Sequence, residues 1–290
     1  MTCDIICGKS QKGRLTVQES ADRIDSRFTI HDSRFTIHDS RFTIHDSRFT
    51  PVLYLIAPAY NESQNIAHFV EEWYPVVEKH DAGGLSRLVV VDDGSKDDTY
   101  AILQELAKTR KMLMPLTKAN GGHGAACIFG YRYALEHGAE WIFQTDTDGQ
   151  TSAGEFESFW ALRDEYDAVL GKRPDRQDGA ARKFVERVLC WVVRVIFGVR
   201  VPDANAPFRL MRGDLVRKYL HRMPEDFNLP NVMLTVYFAY FHEDITFQGI
   251  TFKPRQGGKN SINIRKIIAI GMKAVSDFRM LRKDLKEETI

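Results

Sequence analysis

Between Pro51 and Gln150 short apolar runs alternate with longer stretches of helical spacing, and three of the runs end in polar or acidic loops. VLYLIAP (Val52 to Pro58) leads to Asn61 and Glu62, RLVVVDDGS (Arg87 to Ser95) to Asp92 and Asp93, and EWIFQTDTDGQ to Asp146 and Asp148. This alternation predicts an α/β domain with a mostly parallel central sheet flanked by helices. Parallel strands share their carboxyl edge, so the three loops meet on one side, where open α/β sheets bind ligands.

Ile66, Phe69, Val70, Trp73 and Val77 predict a helix with Ser63 as its N-cap. Asp97 or Asp98 starts a second helix, and LMPL is a short third strand. The glycine turn Asn120-Gly121-Gly122-His123-Gly124 opens a third helix, with Ala126, Phe129, Tyr133 and Ala134 on one face. Cys127 stands where G-x-G-x-x-G needs its last glycine, and no G-x-x-x-x-G-K-S/T occurs. A dinucleotide oxidoreductase and a P-loop NTPase are therefore disfavoured. The turn reads equally as a tight start to a helix and as a backbone cradle.

Asp146 and Asp148 flank Thr147 just past an apolar run, and residues two apart in extended chain share a side. Two hard oxygen ligands suit Mg2+ or Mn2+ held jointly with substrate phosphates; an ordinary acidic turn is the other reading. Carboxylates crowded at one edge repel unless a cation or hydrogen-bond donors are present. A nucleotide offers such donors in its ring N–H groups and ribose hydroxyls.

The composition supports a large core, with 43% hydrophobic residues and 18 Phe, 10 Tyr and 4 Trp among 290 residues. A net charge of +1 argues against a protein that coats nucleic acid. Cys3, Cys7, Cys127 and Cys190 are irregularly spaced, which fits a reducing compartment better than a disulfide framework or a zinc knuckle. The longest uncharged stretch, Phe227 to His242, contains Pro230 and Asn231 and falls short of the ~18–20 residues of a membrane span. With no signal-peptide core in the first residues, the expected location is cytoplasmic.

Residues 25–50 repeat DSRFTIH without a substitution. The seven-base word GATTCAC, written three times, encodes this heptapeptide through all three codon phases. Residues 1–50 are accordingly expected to be a low-complexity arm, disordered or translated from repetitive or non-coding DNA.

Taken together, APAYNES (57–63), VVVDDGSKDDT (89–99), NGGHGAA (120–126), QTDTDGQ (144–150), VLGKR (169–173) and PDANAPFR (202–209) resemble the inverting family 2 glycosyltransferases of GT-A fold, in the dolichyl-phosphate mannose synthase-like branch. The resemblance covers roughly Val52 to Arg265. It implies a GT-A domain over 51–260 and a nucleoside pocket lined by Pro58, Tyr60, Glu62, Asp92 and Asp93. It further implies that Gly124 and Gln150 lie near the donor and that Asp146 and Asp148 hold metal and diphosphate. Arg173 and Arg209 resemble the branch's phosphate-neutralising arginines, a task for a planar bidentate donor; Arg209 could instead pair with Asp203. Two departures stand out. Ala206-Pro207 replace the usual Ser-Gly, and Arg255-Gln-Gly-Gly258-Lys259-Asn260-Ser261 lacks the usual Ser-Lys pair, leaving Arg255 and Lys259 as the acceptor-side cations.

The implied reaction moves a sugar from a UDP- or GDP-sugar to an acceptor with inversion, catalysed by Asp148, Asp203 and Arg209 with Mg2+ or Mn2+. A polyprenyl-phosphate acceptor is already anionic and needs no base, whereas a saccharide hydroxyl needs one, for which Asp203 is the candidate. An inactive sugar-nucleotide-binding relative is the further alternative. Residues 184–201 and the basic C-terminal helix expected over 261–290 are each amphipathic. Both read as core-facing helices or as peripheral contacts with anionic membrane.

Overall fold

The computed structural model describes residues 8–9, 15–16, 50–174, 180–253 and 264–287. The chain divides into two units, 1–46 and 47–290. In the first, β1 (Gly8–Lys9) pairs antiparallel with β2 (Leu15–Thr16). The heptapeptide repeat, up to residue 49, lies outside the described residues.

The second unit is built on a seven-stranded sheet of order β5-β4-β3-β6-β8-β7-β9. Its first half follows the expected alternation: β3 (Leu53–Ala59), α1 (Ile66–Lys79), β4 (Arg87–Asp92), α2 (Thr99–Ala107), β5 (Leu113–Thr117), α3 (His123–Glu136) and β6 (Trp141–Thr145). These four strands are mutually parallel. A short α4 (Phe156–Trp160), β7 (Ala168–Lys172) and α5 (Ala180–Phe197) follow, then β8 (Phe208–Arg212), α6 (Gly213–Leu220), α7 (Pro230–Tyr240), β9 (Ile245–Gly249) and α8 (Ile264–Glu287). β8 alone runs against its neighbours β6 and β7.

Both sheet faces are covered, as a mostly parallel sheet requires. Strand alternation sends Tyr54, Ile56, Val89, Val91 and Ile142 to one face, under α3, α6 and α7. Leu53, Leu55, Leu88, Val90 and Phe143 go to the other, under α1 and α4. There Trp73 of α1 meets Phe143 at 5.5 Å between ring centroids, and Phe143 meets Phe208 at 4.7 Å and Phe156 at 4.9 Å. On the first face the end of α8 joins the core through Ala274, Phe278, Leu281 and Leu285.

One local expectation is corrected. Asn65, not Ser63, precedes the first turn of α1, and the Glu62 carbonyl accepts from Asn65 N and Ile66 N. Ser63 N–H is committed across the sheet edge to Asp97.

Candidate active site

The parallel half of the sheet ends in loops that are tied to one another. Asn61 adopts a left-handed φ of 54°, which asparagine tolerates, and its N–H donates to Ser95 Oγ at 2.9 Å. In return Lys96 N–H donates to Asn61 Oδ1, and Glu62 N–H donates to Thr99 Oγ1, both at 2.8 Å. The resulting rim buries Glu62 and leaves Tyr60 42% exposed. Asp92 is buried beneath it, accepting from Thr117 Oγ1 at 2.9 Å.

Asp93 is also buried, and the glycine turn wraps it. Gly121 N–H and Gly122 N–H donate to its two oxygens at 3.0 and 2.7 Å, and Lys118 Nζ pairs with it at 2.8 Å. The turn thus cradles a carboxylate of its own chain, and the same contacts launch α3. At Gly124 an added Cβ would lie 2.2 Å from Phe227 O and 2.5 Å from Asn228 O. Gly124 therefore lets α3 approach the backbone leading into α7. Gly124→Ala should lower stability by about 1–3 kcal/mol, to be read as a fall in thermal midpoint.

After β6 the chain extends through Asp146-Thr147-Asp148. Thr147 is buried, its hydroxyl donating to Pro58 O at 3.0 Å, while Asp146 and Asp148 are half-buried. Gly149, at a φ of 72°, turns the chain so that Gln150 N–H donates to Asp148 Oδ1 at 3.1 Å. Asp146 Oδ1 accepts from Gln144 Nε2 at 3.2 Å and lies 2.9 Å from His123 Nε2. The chemistry of the pair fits a hard cation completed by ligand oxygens. Among the described residues no cluster of three or more His, Cys, Asp or Glu side chains could hold a metal unaided.

Beside Asp146 opens a cleft of about 170 Å3, lined by His123, Asp146, Gln150, Arg173, Asn205, Pro207, Asn231 and Phe252. Asp148 is not among its lining residues. Arg173 lines the cleft with a guanidinium that is held from several sides. Its Nε and Nη2 donate to Asp203 Oδ2 and Oδ1 at 2.8 and 2.9 Å, and Nη2 also reaches Glu186 Oε2 at 3.2 Å. Its Cζ stands 5.1 Å from the Phe252 ring centroid. Burial pushes the Asp203 carboxyl up, but Arg173's hydrogen bonds and charge outweigh it, and Asp203 rests below the ordinary carboxylate value. Glu186 is displaced upward by burial and then by the Asp203 charge.

Arg209 is 1% exposed and does not line the cleft. Its Nη1 donates to Asn231 O at 2.9 Å and its Nη2 to Thr235 Oγ1 at 2.8 Å, while Nε has no partner. The alternative pairing of Arg209 with Asp203 is corrected, because Arg173 occupies both Asp203 oxygens. Arg209 braces Asn231, whose Nδ2 donates to Gln144 Oε1 at 2.9 Å. Arg255 and Lys259 lie outside the described residues.

His123, Asn205, Asn231, Phe252 and Glu186 were not singled out by sequence reasoning. His123 sat unassigned inside the glycine turn, and Asn231 inside an apolar run, where a lone buried amide is the available signal.

Residues 54–220 match the family model described as Glycosyl transferase family 2. The chain belongs to this family. The chain is 34% identical over 112 residues to a UDP-N-acetylglucosamine--dolichyl-phosphate N-acetylglucosaminyltransferase of Methanococcus voltae, covering 34% of this chain and 42% of the relative. An undecaprenyl-phosphate 4-deoxy-4-formamido-L-arabinose transferase of Pseudomonas savastanoi pv. phaseolicola is 28% identical, over 56% of this chain and 48% of its own. A dolichyl-phosphate beta-glucosyltransferase of Trichomonas vaginalis is 29% identical, over 57% and 55%. The chain thus spans about half the length of the curated relatives it matches.

Glucosyl-3-phosphoglycerate synthase of Mycobacterium tuberculosis, solved with Mn2+, UDP-glucose and phosphoglyceric acid, superposes with a TM-score of 0.57 at 16% identity, covering 80% of this chain and 79% of that one. S. aureus TarS 1–349 with UDP-GlcNAc gives 0.53 at 19% identity, over 78% and 66%. These likenesses show the GT-A fold.

Proposed function

We propose that this transferase carries a sugar from a UDP- or GDP-sugar to a polyprenyl phosphate with inversion, using Mg2+ or Mn2+. The observation that carries the acceptor reading is the Arg173–Asp203 pair. A hydroxyl acceptor needs a base, and Asp203 is a poor one: Arg173 covers both its oxygens and lowers its proton affinity. A phosphate monoester needs no base, and a guanidinium with Phe252 beside it suits an anionic group entering the cleft. The names of the dolichyl- and undecaprenyl-phosphate relatives point the same way.

In this reading Tyr60, Glu62, Pro58, Asp92 and Asp93 form the nucleoside side of the site. Asp146 and Asp148 would hold the metal, which supplies positive charge for the departing diphosphate. Gln150 Nε2, donating to Lys253 O at 2.9 Å, fixes the loop beside the donor. Arg209 orients Asn231 from below, and acceptor contact by Arg255 and Lys259 belongs to the same proposal. No helix among the described residues is long and apolar enough to cross a membrane; peripheral contact with the acceptor's membrane, on its cytoplasmic face, belongs to the same proposal.

The test is nucleotide diphosphate release by the full chain with Mg2+ or Mn2+, with and without a short-chain polyprenyl phosphate. Lipid-dependent release is expected, and Asp203→Asn should retain measurable turnover. Loss of turnover by ~10³ or more in Asp203→Asn, with transfer to a saccharide hydroxyl, would assign Asp203 as the base and overturn the phosphate reading.

A further inference from the structure

We propose that the outer face of α5 is a docking surface for an anionic lipid bilayer. The inference deepens the polyprenyl-phosphate reading, on which it rests for its biological purpose. Phe184, Val188, Trp191 and Val195 stand at i, i+4, i+7 and i+11 and form one stripe along the helix. They are 66%, 41%, 63% and 57% exposed. The helix needs none of them to fold. Its opposite face supplies Val193, Ile196 and Phe197 to the core, with Phe197 and Phe278 of α8 5.7 Å apart. A continuous apolar stripe on a helix already anchored by its other side marks an interaction surface.

The charges select the occupant. Arg187 and Arg194 flank the stripe and are exposed. The one acid of α5, Glu186, faces inward, where it accepts from Ala204 N–H at 3.1 Å and meets Arg173. The outer face is therefore apolar and cationic with no carboxylate of its own helix. A second copy pairing through this face would bring like charges together. Anionic headgroups complement it, while Trp191 and Phe184 suit the boundary between headgroups and acyl chains. The inner face of the same helix touches the cleft's arginine, so a bilayer lying on α5 would lie close to the acceptor side of the site.

Trp191 allows a direct test, because the other three tryptophans, Trp73, Trp141 and Trp160, are 1%, 8% and 6% exposed. The full chain is mixed with vesicles of phosphatidylglycerol and phosphatidylcholine, or of phosphatidylcholine alone. The expected result is a blue shift of Trp191 emission and quenching by brominated acyl chains, stronger with the anionic vesicles. In co-sedimentation, Phe184→Ser/Trp191→Ser should weaken partitioning about tenfold or more at an unchanged melting temperature. Arg187→Gln/Arg194→Gln should abolish the preference for anionic vesicles.

Vesicle binding that survives the Phe184→Ser/Trp191→Ser change, or emission that brominated lipid leaves unquenched, would overturn the proposal. So would a concentration-dependent shielding of Trp191 from iodide without vesicles, which would assign the stripe to a second copy. The acceptor reading fails separately: a wild-type chain that docks but never transfers sugar to a water-soluble short-chain polyprenyl phosphate would sink that reading and leave the docking surface standing.

Discussion

Arg173→Ala is expected to lower the unfolding free energy by about 3–5 kcal/mol and to abolish lipid-stimulated turnover. The guanidinium is 5% exposed and its partners Asp203 and Glu186 are 4% and 14% exposed, so the substitution strands two carboxyl groups in a poorly hydrated place. Urea unfolding at neutral pH measures the effect. Arg173→Lys should recover only part of it, because a point charge cannot bridge both Asp203 oxygens. Glu186→Gln is the counterpart: burial and the Asp203 charge work against the ionised form of Glu186, and a neutral amide of the same shape should cost little.

The pH dependence follows from the two directions. Asp203 has a lowered folded value, so its contribution is full above the ordinary carboxylate range and is lost as pH falls through that lowered value. Glu186 has a raised folded value, so its ionisation removes stability as pH rises from its ordinary value through the raised one. Arg173→Ala should therefore weaken the acid limb due to Asp203 and steepen the loss above it. An Arg173→Ala protein as stable as the wild type across that range would show that the cluster is solvated and that its charges are not coupled.

Asp146→Ala should reduce metal-dependent turnover by roughly 10³ while lowering stability by only about 1 kcal/mol. The two effects separate because Asp146 is half-buried and its partner His123 is half-exposed, so little of the core rests on the carboxylate. Only Gln144 loses a buried partner, and its Oε1 still accepts from Asn231. Steady-state nucleotide release with and without Mn2+, beside a thermal melt, checks both. Full metal-stimulated activity in this variant would exclude Asp146 as a metal ligand.

Much of this molecule was readable without coordinates. The apolar runs at 52–58, 87–91 and 140–145 became β3, β4 and β6, because a strand buried on both faces can be written only as a near-continuous apolar run. The acids that follow them in the chain fall together because parallel strands share one carboxyl edge. β7, β8 and β9 were not read as strands, and the reversal of β8 leaves no mark in a five-residue segment.

What the sequence by itself determined is the elements of the parallel half, the edge that carries the site and the family to which the chain belongs. These follow from hydrophobic period and from short motifs, both properties of neighbouring residues. Only the tertiary structure decided the partners. Arg173 and not Arg209 holds Asp203, the glycine turn wraps Asp93, Gly124 serves a close approach of two backbones, and one face of α5 stays bare. The first three depend on which residues meet across 28 to 103 positions of chain, and pairing at that range is set by packing and desolvation rather than by spacing.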